Sequence, residues 1–296
     1  MARAIQSSRD DRIFYAINAA LLTLLLLLVL YPLAFVVSAS FSNTSSLANN
    51  QVWLLPVKAN LTSYRAVFRD NKIWIGYRNT AVYTVLGTLI NLFLTLITAY
   101  PLSRKDLKGR DAIMMAYTFT MFFSGGMIPT YLMVKNLGMI NTLWALIIPG
   151  AISVTNLIIT RTFFANTIPY ELQESALIDG CSNVRILWEI VLPLSIPIVA
   201  VMSIYYGVAH WNAYFNALIY LTDSKKWPLQ LVLRDILLSN AVTDMTDSSM
   251  YTPDQILLYE GMKYAIVVVA SLPVMCLYPL LQRYFVKGVM IGAIKG

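Results

Sequence analysis

Charge is what this sequence lacks most. Of its 296 residues only 12% are charged while 58% are hydrophobic, against about 25% charged in a soluble domain of this length. Acid is scarcer than base, with 15 Asp and Glu against 22 Lys and Arg. One histidine, His210, and two cysteines, Cys181 and Cys276, complete the short supply of reactive side chains. A single histidine cannot build a metal site or a triad, and these two cysteines form no disulfide framework. HExxH, GxSxG and Walker A patterns are all missing, so common hydrolytic and nucleotide-binding chemistries are excluded. No catalytic or metal-binding residue is expected. The positive balance has no soluble basic face interleaved with aromatics, so no nucleic-acid partner is expected either.

What is present is long uncharged sequence. Six such runs cover Ile13–Phe41, Asn79–Ser103, Ala112–Val134, Asn136–Thr160, Ile190–Thr222 and Tyr264–Gln282. About 20 apolar residues at 1.5 Å rise cross a bilayer core, so each run is long enough to span. The fold expected is all-α: a single membrane domain, 1–296, of six transmembrane helices. The first run exceeds the 7–15 residues of a signal-peptide core and reads as an uncleaved span, with Pro32 a tolerated kink.

Six spans put both termini on one side of the membrane. Arg104, Lys105, Lys108 and Arg110 lie within SRKDLKGRD, residues 103 to 111, and both tails add basic residues. Positive charge concentrates in short cytoplasmic loops, so both termini are expected in the cytoplasm. The same charge suits contact with lipid headgroups. Residues 1–12 and 283–296 are then cytoplasmic tails, 166–190 a cytoplasmic loop and 223–259 an extracytoplasmic one. Trp53, Trp74 and Trp227 sit at span edges, where aromatic belts form. Within 223–259, DSKKWPLQLVLRDILL reads as helical and the stretch after it as a polar loop.

None of the six runs contains Asp or Glu. Proton relays at membrane depth use ionisable side chains, so ion coupling is disfavoured and energy must come from a partner. The candidate contact is ESALIDG, residues 174 to 180, in the loop between spans four and five. Pro169 suits the first helical turn, and Glu171 and Glu174 suit its positive end. Ser175 and Ala176 are small enough for another protein to approach closely. Asp179-Gly180 supplies a left-handed stop. Ser182 then caps a second helix, NVRILWEIV, expected to run into Pro193 and re-enter the membrane. The bland alternative is an ordinary loop helix.

The full segment TIPYELQESALIDGCSNVRILWEIVLPLSIP, residues 167 to 197, resembles the EAA loop of binding-protein-dependent ABC importer permeases. Glu174-Ser175-Ala176, Asp179-Gly180 and Ile190-Val191-Leu192-Pro193 match its pattern, with Ser175 where alanine is commonest. The ending QRYFVKGVMIGAIKG resembles the carbohydrate branch of that family. FFSGGMIPTYLMVKNLGMINTLWALIIPGAI and VAHWNAYFNALIYL resemble a subgroup serving complex oligosaccharides, including uronic-acid oligomers. The resemblance covers residues 14 to 296.

It implies an importer in a bacterial cytoplasmic membrane, built from this chain, a second homologous permease, two ATPase subunits and an extracytoplasmic solute-binding protein. This chain would bind no cofactor; ATP and Mg would belong to the ATPase subunits. Glu174, Ser175, Ala176, Asp179 and Gly180 would form the coupling helix that sits in an ATPase cleft. The polar stretch Asn240–Gln255 would meet the solute-binding protein. The competing reading is a channel or facilitator for a small polar solute that needs no ATP.

Span five, IYYGVAHWNAYFNALIYL, is unusually polar and aromatic. Sugars present apolar C–H faces and hydroxyl edges, which suit flat rings beside amides. Trp211 and Asn212 are therefore candidates to line an oligosaccharide path, with Tyr205, His210, Tyr214 and Asn216 beside them. Tyr205, Asn212 and Asn216 are expected to share nearly one helical face. The alternative for all six is helix–helix packing.

Overall fold

The structure, a computed structural model, describes residues 9–243 and 252–293. The core of the polar stretch Asn240–Gln255 lies outside the described residues. Among those described there are helices and no strands, and they form two compact units.

The first unit takes in the chain up to Asp70 and Asp235–Ser271. Helix α1 (Arg9–Phe41) carries Asp10 and Asp11 in its first turn and Pro32 inside it. Its leucine-rich half is exposed on all sides, as a helix solvated by hydrocarbon can be. Only its end is covered: Ala39, Leu47 and Val52 form a small core with Phe35, Val57 and Tyr264. Leu47 lies on α2 (Thr44–Ala48), capped by the Asn43 side chain. The next helix, α3 (Thr62–Arg69), turns Ser63 and Val67 inward.

The second unit holds most of the spans, Asn71–Arg234 among them. Its axis is α4 (Asn71–Ser103), which buries Gly76, Asn79, Thr80, Gly87, Asn91, Thr95 and Ala99. These are small or hydrogen-bonding residues at spacings of three, four and seven. Such a stripe lets helices approach closely in lipid, where apolar side chains alone give no drive to associate. After α4 come α5 (Arg110–Phe122), α6 (Met127–Asn136), α7 (Trp144–Ile147), α8 (Val154–Thr167) and α9 (Tyr170–Ile178). Then follow α10 (Asn183–Ile186), a π turn over Leu187–Val191, α11 (Leu192–Leu194), α12 (Ile196–Trp211) and α13 (Phe215–Tyr220). α12 and α8 pack along α4. The last helices, α14 (Leu229–Thr243) and α15 (Pro253–Ala293), continue into stretches the first unit shares.

Three helices are long and apolar enough to cross a membrane unbroken, over Asp10–Phe41, Asn71–Ser103 and Gln255–Cys276. Three bent pairs bring the number to as many as six. The bends are 111° between α5 and α6, 53° before α8 and 85° before α12. The first falls at Gly125-Gly126, where Gly126 takes φ +88°, a conformation that only glycine adopts freely.

The structure adds two features to the sequence reading. NVRILWEIV does not run straight back into the membrane. It turns by 85° at Ser195, between Pro193 and Pro197, which cannot continue a helical hydrogen-bond ladder. The C-terminal tail is helical over most of its length: α15 continues through Gly288 to Ala293. Isolated glycines weaken a helix by only about 1 kcal/mol each.

Candidate functional site

The segment after α8 builds a short, firmly ended helix. Pro169 sits at the N-cap of α9 with φ −56° and ψ +134°, one residue before the first turn expected for it. Glu171 lies in the first turn, where a carboxylate meets the positive helix end. At the other end, the Gly180 N–H donates to the Leu177 carbonyl at 3.0 Å, and the Cys181 N–H to the Ala176 carbonyl at 2.9 Å. This pair of bonds is a Schellman closure, and it requires a left-handed residue between them. Gly180 supplies it at φ +79°. Two residues on, Ser182 accepts from the Arg185 N–H at 3.4 Å and caps α10.

Exposure divides the helix sharply. Glu171, Glu174, Ser175, Asp179 and Gly180 are exposed, and Ile178 is 86% exposed. Ala176 is not on that face. It is 6% exposed and belongs to an apolar core with Tyr100, Phe164, Ile168, Ile186, Leu187 and Val191. The expectation that it helps admit a partner is corrected: its small side chain lets α9 lie close on its own unit. A cavity of about 520 Å³, lined by Leu172, Ser175, Asp179, Glu189 and Pro193 among others, opens between α9 and the α10–α11 segment. Carboxylates at its rim suit a basic or amide-bearing side chain from outside.

Span five is arranged differently from the expected stripe. α12 stops at Trp211, Asn212 caps it, and α13 begins only at Phe215. Asn216 therefore does not continue the helical face of Tyr205 and Asn212, because i+4 spacing has no meaning across a break. Trp211 packs edge-on to Tyr77 with ring centroids 6.2 Å apart. The Asn212 Oδ1 accepts from Gln230 Nε2 at 3.5 Å. Tyr205, Tyr214 and Asn216 are exposed. His210 faces the bundle, its Nε2 3.2 Å from Asn91 Nδ2. Its ring lies over Gly87, where a Cβ would come within 2.5 Å of it. Tyr206 does point inward, hydrogen-bonded to Thr95 at 2.7 Å and accepting from the Ser153 N–H at 3.3 Å.

A cluster that sequence reasoning used only as a topology marker sits at the C-terminal end of α4. The Arg104 guanidinium, 6% exposed, forms a forked pair with Asp106 at 2.8 and 2.5 Å. Its third nitrogen donates to the Tyr100 hydroxyl at 3.1 Å and to Asn183 Oδ1 at 2.6 Å. The guanidinium holds the Asp106 carboxyl below its ordinary range. The signal available in the sequence was an arginine followed two residues later by an acid at the end of a span. Its partner Asn183 is 79 residues away and gives no local signal. Among the described residues, no group of three or more His, Cys, Asp or Glu could hold a metal ion.

An all-helical chain with up to six membrane-crossing segments and an exposed, capped helix between two of them has the build of a membrane transport subunit. Residues 73–291 match the profile of the binding-protein-dependent transport system inner membrane component, and the chain belongs to that family. It is 41% identical over 288 residues to the polygalacturonan/rhamnogalacturonan transport system permease protein YtcP of Bacillus subtilis, covering 97% of this chain and 99% of that one. It is 40% identical over 295 residues to the protein LplC of the same organism, covering 99% and 98%. Among solved structures, a chain of a bacterial ABC transporter involved in the import of the acidic polysaccharide alginate superposes with a TM-score of 0.86. That match has 33% identity and covers 95% of this chain and all of the other.

Proposed function

We propose that this permease is one of two membrane subunits of an ATP-driven importer carrying an oligosaccharide, of uronic-acid type, into a bacterial cytoplasm. In this reading the chain is one six-span domain in the cytoplasmic membrane, with both termini inside. It pairs with a second, homologous permease. Two ATPase subunits, holding ATP and Mg, bind below, and a solute-binding protein delivers the sugar from outside. The chain itself performs no catalysis and binds no cofactor.

The observation that carries the ATP-driven reading is α9. A helix of nine residues is too short to be stable alone, yet here it is closed at its C-terminal end and presents an acidic, exposed face. That is the form of a lever whose direction is fixed by its own permease and whose outer face is left for a partner. Glu174, Ser175, Asp179 and Gly180 form the contact side, and Ala176 seats the helix. Closure of the ATPase pair around ATP then shifts the spans between an outward-open and an inward-open state through different contacts in each.

The substrate class rests on relatives whose names specify polygalacturonan, rhamnogalacturonan and alginate. Along the path, Trp211 and Asn212 contact the sugar in passing, with Tyr205, Tyr214, Asn216 and His210 nearby. The C-terminal end of α15 steadies the ATPase subunits.

Reconstitution into proteoliposomes with the second permease, the ATPase subunits and the binding protein tests the reading. Labelled oligogalacturonide should accumulate only with ATP. Uptake of equal rate and extent without ATP would establish a facilitator instead.

A further inference from the structure

Two consecutive residues of the α4–α5 loop touch both ends of the coupling segment. The Lys105 ammonium lies 5.8 Å from the ring centroid of Tyr170, the first residue of α9. Arg104 reaches Asn183, the first residue of α10. The helix and its glycine turn therefore lie between two contacts from one loop.

That loop is itself held. Arg110 Nη1 donates to the Arg104 carbonyl at 3.1 Å, and Arg161 Nε, from α8, donates to the Leu102 carbonyl at 3.0 Å. The Ser103 hydroxyl donates to the Tyr100 carbonyl at 2.6 Å. The corner after α4 is an anchor fixed by side chains from three elements.

The coupling segment also touches α4 through apolar contacts, since Ala176, Ile186 and Leu187 share a core with Ala99, Tyr100 and Leu102. Such contact is non-directional and permits sliding. A forked guanidinium–carboxylate pair is directional and adds geometric specificity. With its Asp106 partner half-exposed, the pair contributes little net stability, and its gain is in geometry. Here the same guanidinium reaches across to Asn183 and leaves that geometry no second register.

We propose that Arg104, held by Asp106 and Tyr100 and bonded to Asn183, is a positioning residue that fastens the coupling segment to the end of α4. Force applied at α9 is then handed to an unbroken 33-residue helix instead of being lost at the 85° elbow before α12. The inference rests on the coupling role of α9 given above.

The test uses the assembled transporter and measures sugar imported per ATP hydrolysed. Asn183→Ala removes the acceptor. Arg104→Lys keeps the charge but cannot serve Asp106, Tyr100 and Asn183 together. Each should lower the ratio roughly five-fold, the scale of a coupling-network mutation, while the ATPase subunits still co-purify. Asn183→Asp, which restores an acceptor, should recover it. An unchanged ratio in Asn183→Ala, beside lost uptake in Glu174→Lys, would overturn the fastening role and leave the coupling helix standing. Normal uptake in Glu174→Lys as well would remove the coupling reading and this inference with it. Loss of ATPase co-purification in Asn183→Ala would make Asn183 a docking residue, which also overturns the proposal. If Arg104→Lys fails to reach the membrane, the Asn183 pair decides alone.

Discussion

Gly180 concentrates the account into one backbone angle. At φ +79° with no other atom within 4 Å of where a Cβ would stand, a substitution there is penalised by conformation alone. The left-handed region costs an L-residue about 1–2 kcal/mol, more for a β-branched side chain, and Asn is the residue that tolerates it best. Gly180→Val should therefore abolish uptake with normal membrane insertion, and Gly180→Asn should retain most of it. Uptake assays beside membrane-fraction blots check both; equal loss in the two variants would remove the conformational explanation. Gly180 and Ser182 were legible in the sequence because caps are local chemistry, decided within three or four residues. The burial of Ala176 was not, since which side of a nine-residue helix faces its own protein depends on the core beneath it. Arg104 was read as a topology charge for the same reason: its meaning lies in a residue 79 positions away.

Among elements, span five shows where periodicity misleads. Its uncharged run is continuous from Ile190 to Thr222, yet the chain turns by 85° at Ser195 and breaks again after Trp211. Hydropathy reports how long an apolar stretch is and says nothing of its direction. The helix end that results puts Trp211 and Asn212 at the C-terminus of α12, the place proposed above for contact with the sugar. Trp211→Ala and Asn212→Ala should each lower oligosaccharide uptake several-fold, on the scale of roughly 1 kcal/mol for one lost sugar contact. Stimulation of ATP hydrolysis by the loaded binding protein should persist. Dissociation of the second permease from either variant on purification would instead make these residues packing groups. The 111° bend in span three had its cue in Gly125-Gly126, two residues able to take any backbone angle.

At the scale of the whole molecule, the apolar runs foretold an all-helical membrane chain because the bilayer permits few alternatives: a backbone in hydrocarbon must satisfy its own hydrogen bonds. Each of the six runs overlaps an unbroken helix or a bent pair. The resemblance to the family was carried first by one polar loop that the bilayer does not explain, and the match over residues 73–291 shows the family. In the proposed importer, the exposed face of α9 is completed by an ATPase subunit. The direct measurement is a cross-link from that face. Ser175→Cys, with Cys181 and Cys276 replaced by serine, would be treated with a short thiol-to-amine cross-linker in the assembled, transport-active importer. The expected product joins this permease to an ATPase subunit, in a yield that changes when ATP is added. A transporter that remains active but gives no such product, with or without ATP, would contradict the assignment of α9 as the coupling helix.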